Sequence, residues 1–231
     1  MKGTTMTSVL MIMTNNHRLG NTNVPSGAWA EEIAAPLEVF DRAGFSVTLA
    51  SPQGGPVPID PMSLLDVYRS PVVDAFLASP QRRTDLDHTV RVAELDATSF
   101  DALFIVGGFG VMWDLVGDAT VLAEVARAAE AGLPIAAVCH GPAVLANVRV
   151  GAESLMRGRR ATGFSNAEEE AVSNGAVYPA TVENALRSAG ADYTADGGIF
   201  GPSVVVDGKI LTGQNPASSA ALADALVEVL V

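Results

Sequence analysis

The chain has 231 residues, with 14 basic and 26 acidic side chains, a net charge of −12, 48% hydrophobic residues and only 6% aromatics. An acidic chain without a basic cluster is a poor partner for nucleic acid or an anionic membrane, and a lone cysteine excludes an internal disulfide framework. The length suits one domain over residues 1–231, and abundant Ala and Val suit a parallel sheet under closely packed helices.

No apolar run reaches transmembrane length. The run Val9-Leu10-Met11-Ile12-Met13 is too short for a signal peptide and lacks a cleavage site, so a cytoplasmic setting is expected. Residues 8–14 read as a buried strand, followed by a polar loop containing His17. The segment 27–44 reads as a helix stopped by Gly44, with Pro36 imposing a kink or a late start. Residues 45–50 form a second strand, and 51–64 a turn-rich crossing with room for a small hairpin. Residues 65–78 read as a weak helix, and 79–99, with His88, as a polar surface stretch or lid.

A strong strand at 101–106 runs into Gly107-Gly108-Phe109-Gly110, followed by a helix at 119–131. Then come a strand at 134–138, the cysteine, and a helix at 140–148. A short strand at 160–164, an acidic helical start at 166–171 and a helix at 179–189 follow. Residues 203–212 read as a hairpin around an Asp-Gly turn, and 216–231 as a closing amphipathic helix. Alternating strands and helices predict a doubly wound α/β fold with a mostly parallel sheet, flavodoxin-like in winding, plus a small appended segment and the hairpin.

The chemistry centres on Cys139, the chain's only cysteine. It stands between an apolar strand and a small-residue helix, with Ala137 and Gly141 at the flanking positions of a nucleophile elbow. A helix starting at His140 would favour a thiolate and offer backbone N–H groups to an oxyanion. Side chains adjacent in sequence do not face one another on a helix, so the ring of His140 is a less obvious partner than its N–H. His17, His88 and His140 are the only histidines, and none lies downstream of the elbow, which argues against a glutaminase or α/β-hydrolase triad.

Six stretches, taken together and in order, resemble the ThiJ/PfpI superfamily, whose fold is similar to that of class I glutamine amidotransferases. They are SGAWAEEIAAP (26–36), ASPQGGPVPIDPMSL (50–64), VGGFGVMWDL (106–115), AAVCHGPAVLANV (136–148), GRRATGFSNAEEE (158–170) and LTGQNPASS (211–219). Within it they look like the branch of glutathione-independent glyoxalases and heat-inducible chaperones. The resemblance implies Cys139 as nucleophile and Glu32 as the carboxylic acid beside it, with Glu31 facing outward. It implies Glu169, within Glu168-Glu169-Glu170, as partner of His140. It implies an oxyanion hole from Gly107, Gly108 and the His140 N–H.

Trp113 and His17 are candidates for the substrate pocket, as is Phe109, which stands where many branch members carry histidine. The activity implied is conversion of methylglyoxal or a related 2-oxoaldehyde to the 2-hydroxy acid, with no metal or organic cofactor, in a homodimer. Two alternatives use the same thiol: isonitrile hydration or amide hydrolysis, and a stress holdase or oxidation sensor with an exposed, acidic cysteine.

Overall fold

The computed structural model describes residues 6–172 and 180–231. The first strand, β1 (Ser8–Ile12), is buried along most of its length. A loop leads to helix α1 (Ala30–Ala43), which carries Pro36 inside it and ends at Gly44. Pro36 has no N–H to give the carbonyl of Glu32, four residues back. Strand β2 (Ser46–Ser51) follows.

The crossing segment forms no hairpin of its own among the described residues. It bridges to other parts instead, Ala28 to Ile59 and Gly55 to Thr89, and contains a short 3-10 turn at Pro61–Leu64. The helix expected over 65–78 is confined to α2 (Pro71–Ala78), capped by Ser70. Residues 79–99 are not a lid. They form α3 (Pro80–Asp87) and the short strand β3 (Val90–Arg91), which extends the sheet beside β2.

Strand β4 (Ala102–Ile105), helix α4 (Ala119–Glu130) and strand β5 (Ile135–Val138) match their sequence patterns closely. After Cys139 the helix α5 is only Pro142–Asn147, shorter than expected because Cys139 to Gly141 form the turn itself. A small appended segment follows, with β6 (Arg149–Val150) against β7 (Glu153–Ser154). Then come β8 (Arg160–Ala161), α6 (Asn166–Val172) and α7 (Val182–Ser188). The start expected for that last helix, Pro179, lies outside the described residues. Strand β9 (Asp192–Tyr193) pairs with β8. The hairpin β10 (Val204–Asp207) and β11 (Ile210–Gly213) and the closing helix α8 (Ser219–Leu230) complete the chain.

The main sheet has seven strands in the order β10-β11-β5-β4-β1-β2-β3. All its neighbours are parallel except the β10–β11 pair. Every residue of β4 and β5 is buried, so both faces of the sheet centre are covered, as a parallel sheet requires. Helix α1 packs on α2 and α8, and α5 on α4 and α7. The winding runs outward from β1 to β2 and β3 on one side and through β4, β5 and β11 on the other. This places a topological switch point between β1 and β4, where open α/β sheets form their binding crevice. Among the described residues no helix is long and apolar enough to cross a membrane.

Candidate active site

Cys139 follows β5 directly and has φ +59°, one of two non-glycine residues held in the left-handed region among the described residues. That conformation costs about 1–3 kcal/mol and is maintained by the surroundings. The Cys139 N–H donates to the Gly213 carbonyl at 2.9 Å, and its carbonyl accepts from Phe164 N–H at 2.9 Å. A β-carbon on Gly141 would stand 2.7 Å from the Ile105 carbonyl oxygen, so only glycine fits this corner of the elbow. The thiol is thus fixed at the carboxyl ends of β4, β5 and β11.

Glu32 reaches the thiol from the first turn of α1. It is fully buried, and its Oε2 accepts from Gly107 N–H at 2.8 Å. The Cys139 thiol lies in hydrogen-bonding reach of the same carboxyl. Burial raises the Glu32 pKa from 4.5 to about 8, against the opposing hydrogen bonds from Cys139 and Gly107. At neutral pH Glu32 is therefore a protonated acid.

The Cys139 thiol is itself pushed well above 9, first by burial and then by the Glu32 carboxyl, while the Gly108 N–H pulls the other way. Cys139 is only 2% exposed. This corrects the expectation of a thiolate stabilised by a helix start. It also removes the exposed, acidic thiol on which the oxidation-sensor alternative was based.

The ring of His140 is a direct partner of the sulfur. Its Nδ1 lies 3.2 Å from Cys139 Sγ, and its Nε2 lies 2.9 Å from Glu169 Oε1. The expectation that neighbouring side chains point apart fails because residues 139–141 form a turn rather than a helix. His140 and Glu169 are both buried. Of the three consecutive glutamates, Glu169 faces the histidine.

Glu168 holds the surrounding loops. Its Oε2 accepts from the Ser165 N–H and hydroxyl, both at 2.8 Å, while Ser165 Oγ accepts the Glu168 N–H at 3.2 Å. Its Oε1 accepts from Phe200 N–H at 2.9 Å and from Asn215 Nδ2 at 2.8 Å. The Ser165-x-x-Glu168 spacing is a capping box, a signal already present in the sequence.

The Gly107–Gly108 turn divides its donors. The Gly107 N–H is already taken by Glu32, so Gly107 does not serve as an oxyanion donor. The Gly108 N–H faces the sulfur. Gly108 has φ +99°, and a β-carbon there would stand 2.4 Å from the Gly27 carbonyl oxygen. This close approach holds the turn against the start of α1.

A cavity of about 350 Å3 opens over Cys139 and His140. Phe109 points into it, edge-on to the His140 ring at 5.1 Å and to Trp29 at 5.9 Å. Phe164 also packs on His140, with centroids 4.8 Å apart. Trp113 and His17, both expected to line the pocket, do not. The Trp113 indole lies over Gly20, and His17 is exposed on its loop. Glu31, expected to face outward, lines the mouth and accepts from the Ser70 hydroxyl. Burial raises its pKa, opposed by that hydrogen bond. Tyr68 and Phe200 complete the mouth and carried no signal in the sequence.

The arrangement is a buried thiol between a protonated carboxylic acid and an imidazole backed by a carboxylate. Known proteins share its scaffold. The chain is 30% identical to glutathione-independent glyoxalase hsp3102 of Schizosaccharomyces pombe over 221 residues, 89% of each chain. It is 26% identical to glyoxalase 3 of Candida albicans over 231 aligned residues, 96% of this chain and 98% of that one. Among solved structures, the Rapid Encystment Protein 24 kDa of Francisella tularensis superposes with a TM-score of 0.93 at 32% identity, covering 98% of this chain and 100% of that one. The DJ-1/PfpI family model matches residues 24–229, so the chain belongs to the DJ-1/PfpI family.

Proposed function

We propose that the protein is a glutathione-independent glyoxalase, converting a 2-oxoaldehyde such as methylglyoxal to the 2-hydroxy acid. The observation that carries this reading is the pair of separate proton carriers around one sulfur, Glu32 and the His140–Glu169 pair. An internal transfer of hydrogen from one carbon to its neighbour needs an acid and a base together. The glyoxalase names of the two curated relatives point the same way.

The reaction begins when His140 Nδ1 takes the thiol proton and Sγ attacks the aldehyde carbon, C1. The carbonyl electron pair moves to oxygen, which rests on the N–H groups of Gly108 and His140 and takes the proton back from the imidazole. The product is a neutral hemithioacetal. His140 then removes the C1 proton while Glu32 gives its own proton to the C2 oxygen. The result is an enediol, an imidazolium held by Glu169 and a Glu32 carboxylate. The imidazolium delivers its proton to C2, and the C1 hydroxyl proton returns to Glu32 as the C1 carbonyl reforms. C1 has been oxidised and C2 reduced by the same electron pair, leaving a thioester. Water adds to C1, the C–S bond breaks, the sulfur regains a proton and the 2-hydroxy acid leaves. The thiol is the only group carrier required.

Lactate formation from methylglyoxal without glutathione tests this directly. Wild type should turn over, and Cys139→Ala and Glu32→Gln should not. Lactate from either variant at the wild-type rate refutes the mechanism. The homodimer implied by the family resemblance belongs to the same proposal, and light scattering on the purified chain checks it.

A further inference from the structure

The mechanism uses the floor of the cavity and says nothing about its walls. Those walls are aromatic. Trp29 meets Tyr68 edge-on, with centroids 5.3 Å apart at 73°, and meets Phe109 at 5.9 Å and 88°. Phe109 meets Phe164 at 6.5 Å and 83°, and Phe164 meets Phe200 at 6.3 Å. Edge-to-face rings at such separations attract through their quadrupoles, and a further ring placed among them finds the same contacts.

The size does not fit the smallest substrate. A cavity of about 350 Å3 falls in the lower part of the range that encloses drug-sized ligands. Methylglyoxal offers it one methyl group. Phe200 adds a second indication, because it is held at φ +60°, a conformation bulky L-residues rarely adopt. Glu168 fixes it there by accepting its N–H at 2.9 Å. Backbone strain is thus retained at a position whose ring forms the mouth. Charge narrows the choice further. Glu31 lines that mouth, and its carboxylate disfavours an anionic side chain on the substrate.

We propose that the pocket selects an uncharged aryl 2-oxoaldehyde, of which phenylglyoxal is the simplest, with its ring seated among Trp29, Tyr68, Phe164 and Phe200. This inference rests on the glyoxalase reading of Cys139. The same thiol addition and proton transfer convert phenylglyoxal to mandelate, with no additional reactant beyond water.

The test measures kcat/KM of the full chain for phenylglyoxal and for methylglyoxal, without glutathione. A single added methylene in an apolar pocket changes kcat/KM by about tenfold or more, so phenylglyoxal is expected to exceed methylglyoxal by at least about tenfold. Tyr68→Ala and Phe200→Gly should each reduce that ratio by about tenfold. Phe200→Gly relaxes the positive φ, so this variant keeps its fold, and thermal melts verify both proteins. Equal or lower efficiency on phenylglyoxal overturns the aryl assignment and leaves the glyoxalase reading standing. A ratio unchanged in both variants also overturns it. Turnover of neither aldehyde by wild type refutes the glyoxalase reading, and the inference falls with it.

Discussion

Glu32→Gln should make the protein more stable, and by an amount that depends on pH. Glu32 is fully buried and its pKa is raised from 4.5 to about 8. Between those values the folded protein keeps a proton that the unfolded chain has released. Wild-type stability therefore falls as pH rises through this window and levels off above it. At about 1.4 kcal/mol per pH unit, the loss is about 3 kcal/mol at pH 7 and about 5 kcal/mol above pH 8. Glutamine keeps the shape and the acceptor for Gly107 N–H but has no proton to lose. The variant should match wild type near pH 4.5 and exceed it progressively at higher pH. For a chain of this size about 3 kcal/mol corresponds to a rise in Tm of about 6–12 °C. Thermal unfolding of both proteins at pH 5, 7 and 9 measures the gap. A gap that stays constant across these pH values, or a variant less stable at pH 7, would show that Glu32 is not held protonated by burial.

The same acid sets an upper pH limit on activity. As Glu32 ionises above about 8, kcat should fall about tenfold per pH unit, and a flat profile to pH 10 rules out its role as proton donor. Glu169→Gln weakens the support of the imidazolium and should lower kcat by about 10²–10⁴-fold with a smaller change in KM, read by steady-state kinetics. Wild-type kcat in that variant would leave His140 acting alone. Gly108→Ala forces a β-carbon to 2.4 Å from a backbone oxygen at φ +99°. It should destabilise the protein by at least about 2 kcal/mol in urea unfolding, and a neutral result would mean the turn moves freely.

The scaffold was legible where local pattern and global fold agree. The runs at β4 and β5, the helix pattern of α4 and the Asp-Gly hairpin each state their structure within a few residues. Cys139 was visible in its strand-turn-helix elbow, whereas Glu32 and Glu169 were visible through motif resemblance rather than through any periodicity. Helical geometry does not govern the ring of His140, which stands in a turn where Cys139 has a positive φ. Trp29 and Phe164 lay inside motifs already singled out, yet an aromatic in a motif does not reveal which way it points. Tyr68 and Phe200 come from irregular segments, whose conformation is set by distant partners such as Glu168. No local rule reaches them.

The geometry around Cys139 also bears on how the chain acquires activity. The contact between Gly107 and Glu32 spans 75 residues, that between Glu168 and Asn215 spans 47, and that between His140 and Glu169 spans 29. Contacts of such separation form late, after the entropy of closing long loops has been overcome. No contiguous fragment shorter than residues 32–215 contains Glu32, Cys139 and the Glu168–Asn215 clamp together. A nascent or partly unfolded chain therefore has no turnover, and the recovery of turnover during refolding should lag the recovery of helical signal. Turnover in this protein reports on completion of the central sheet.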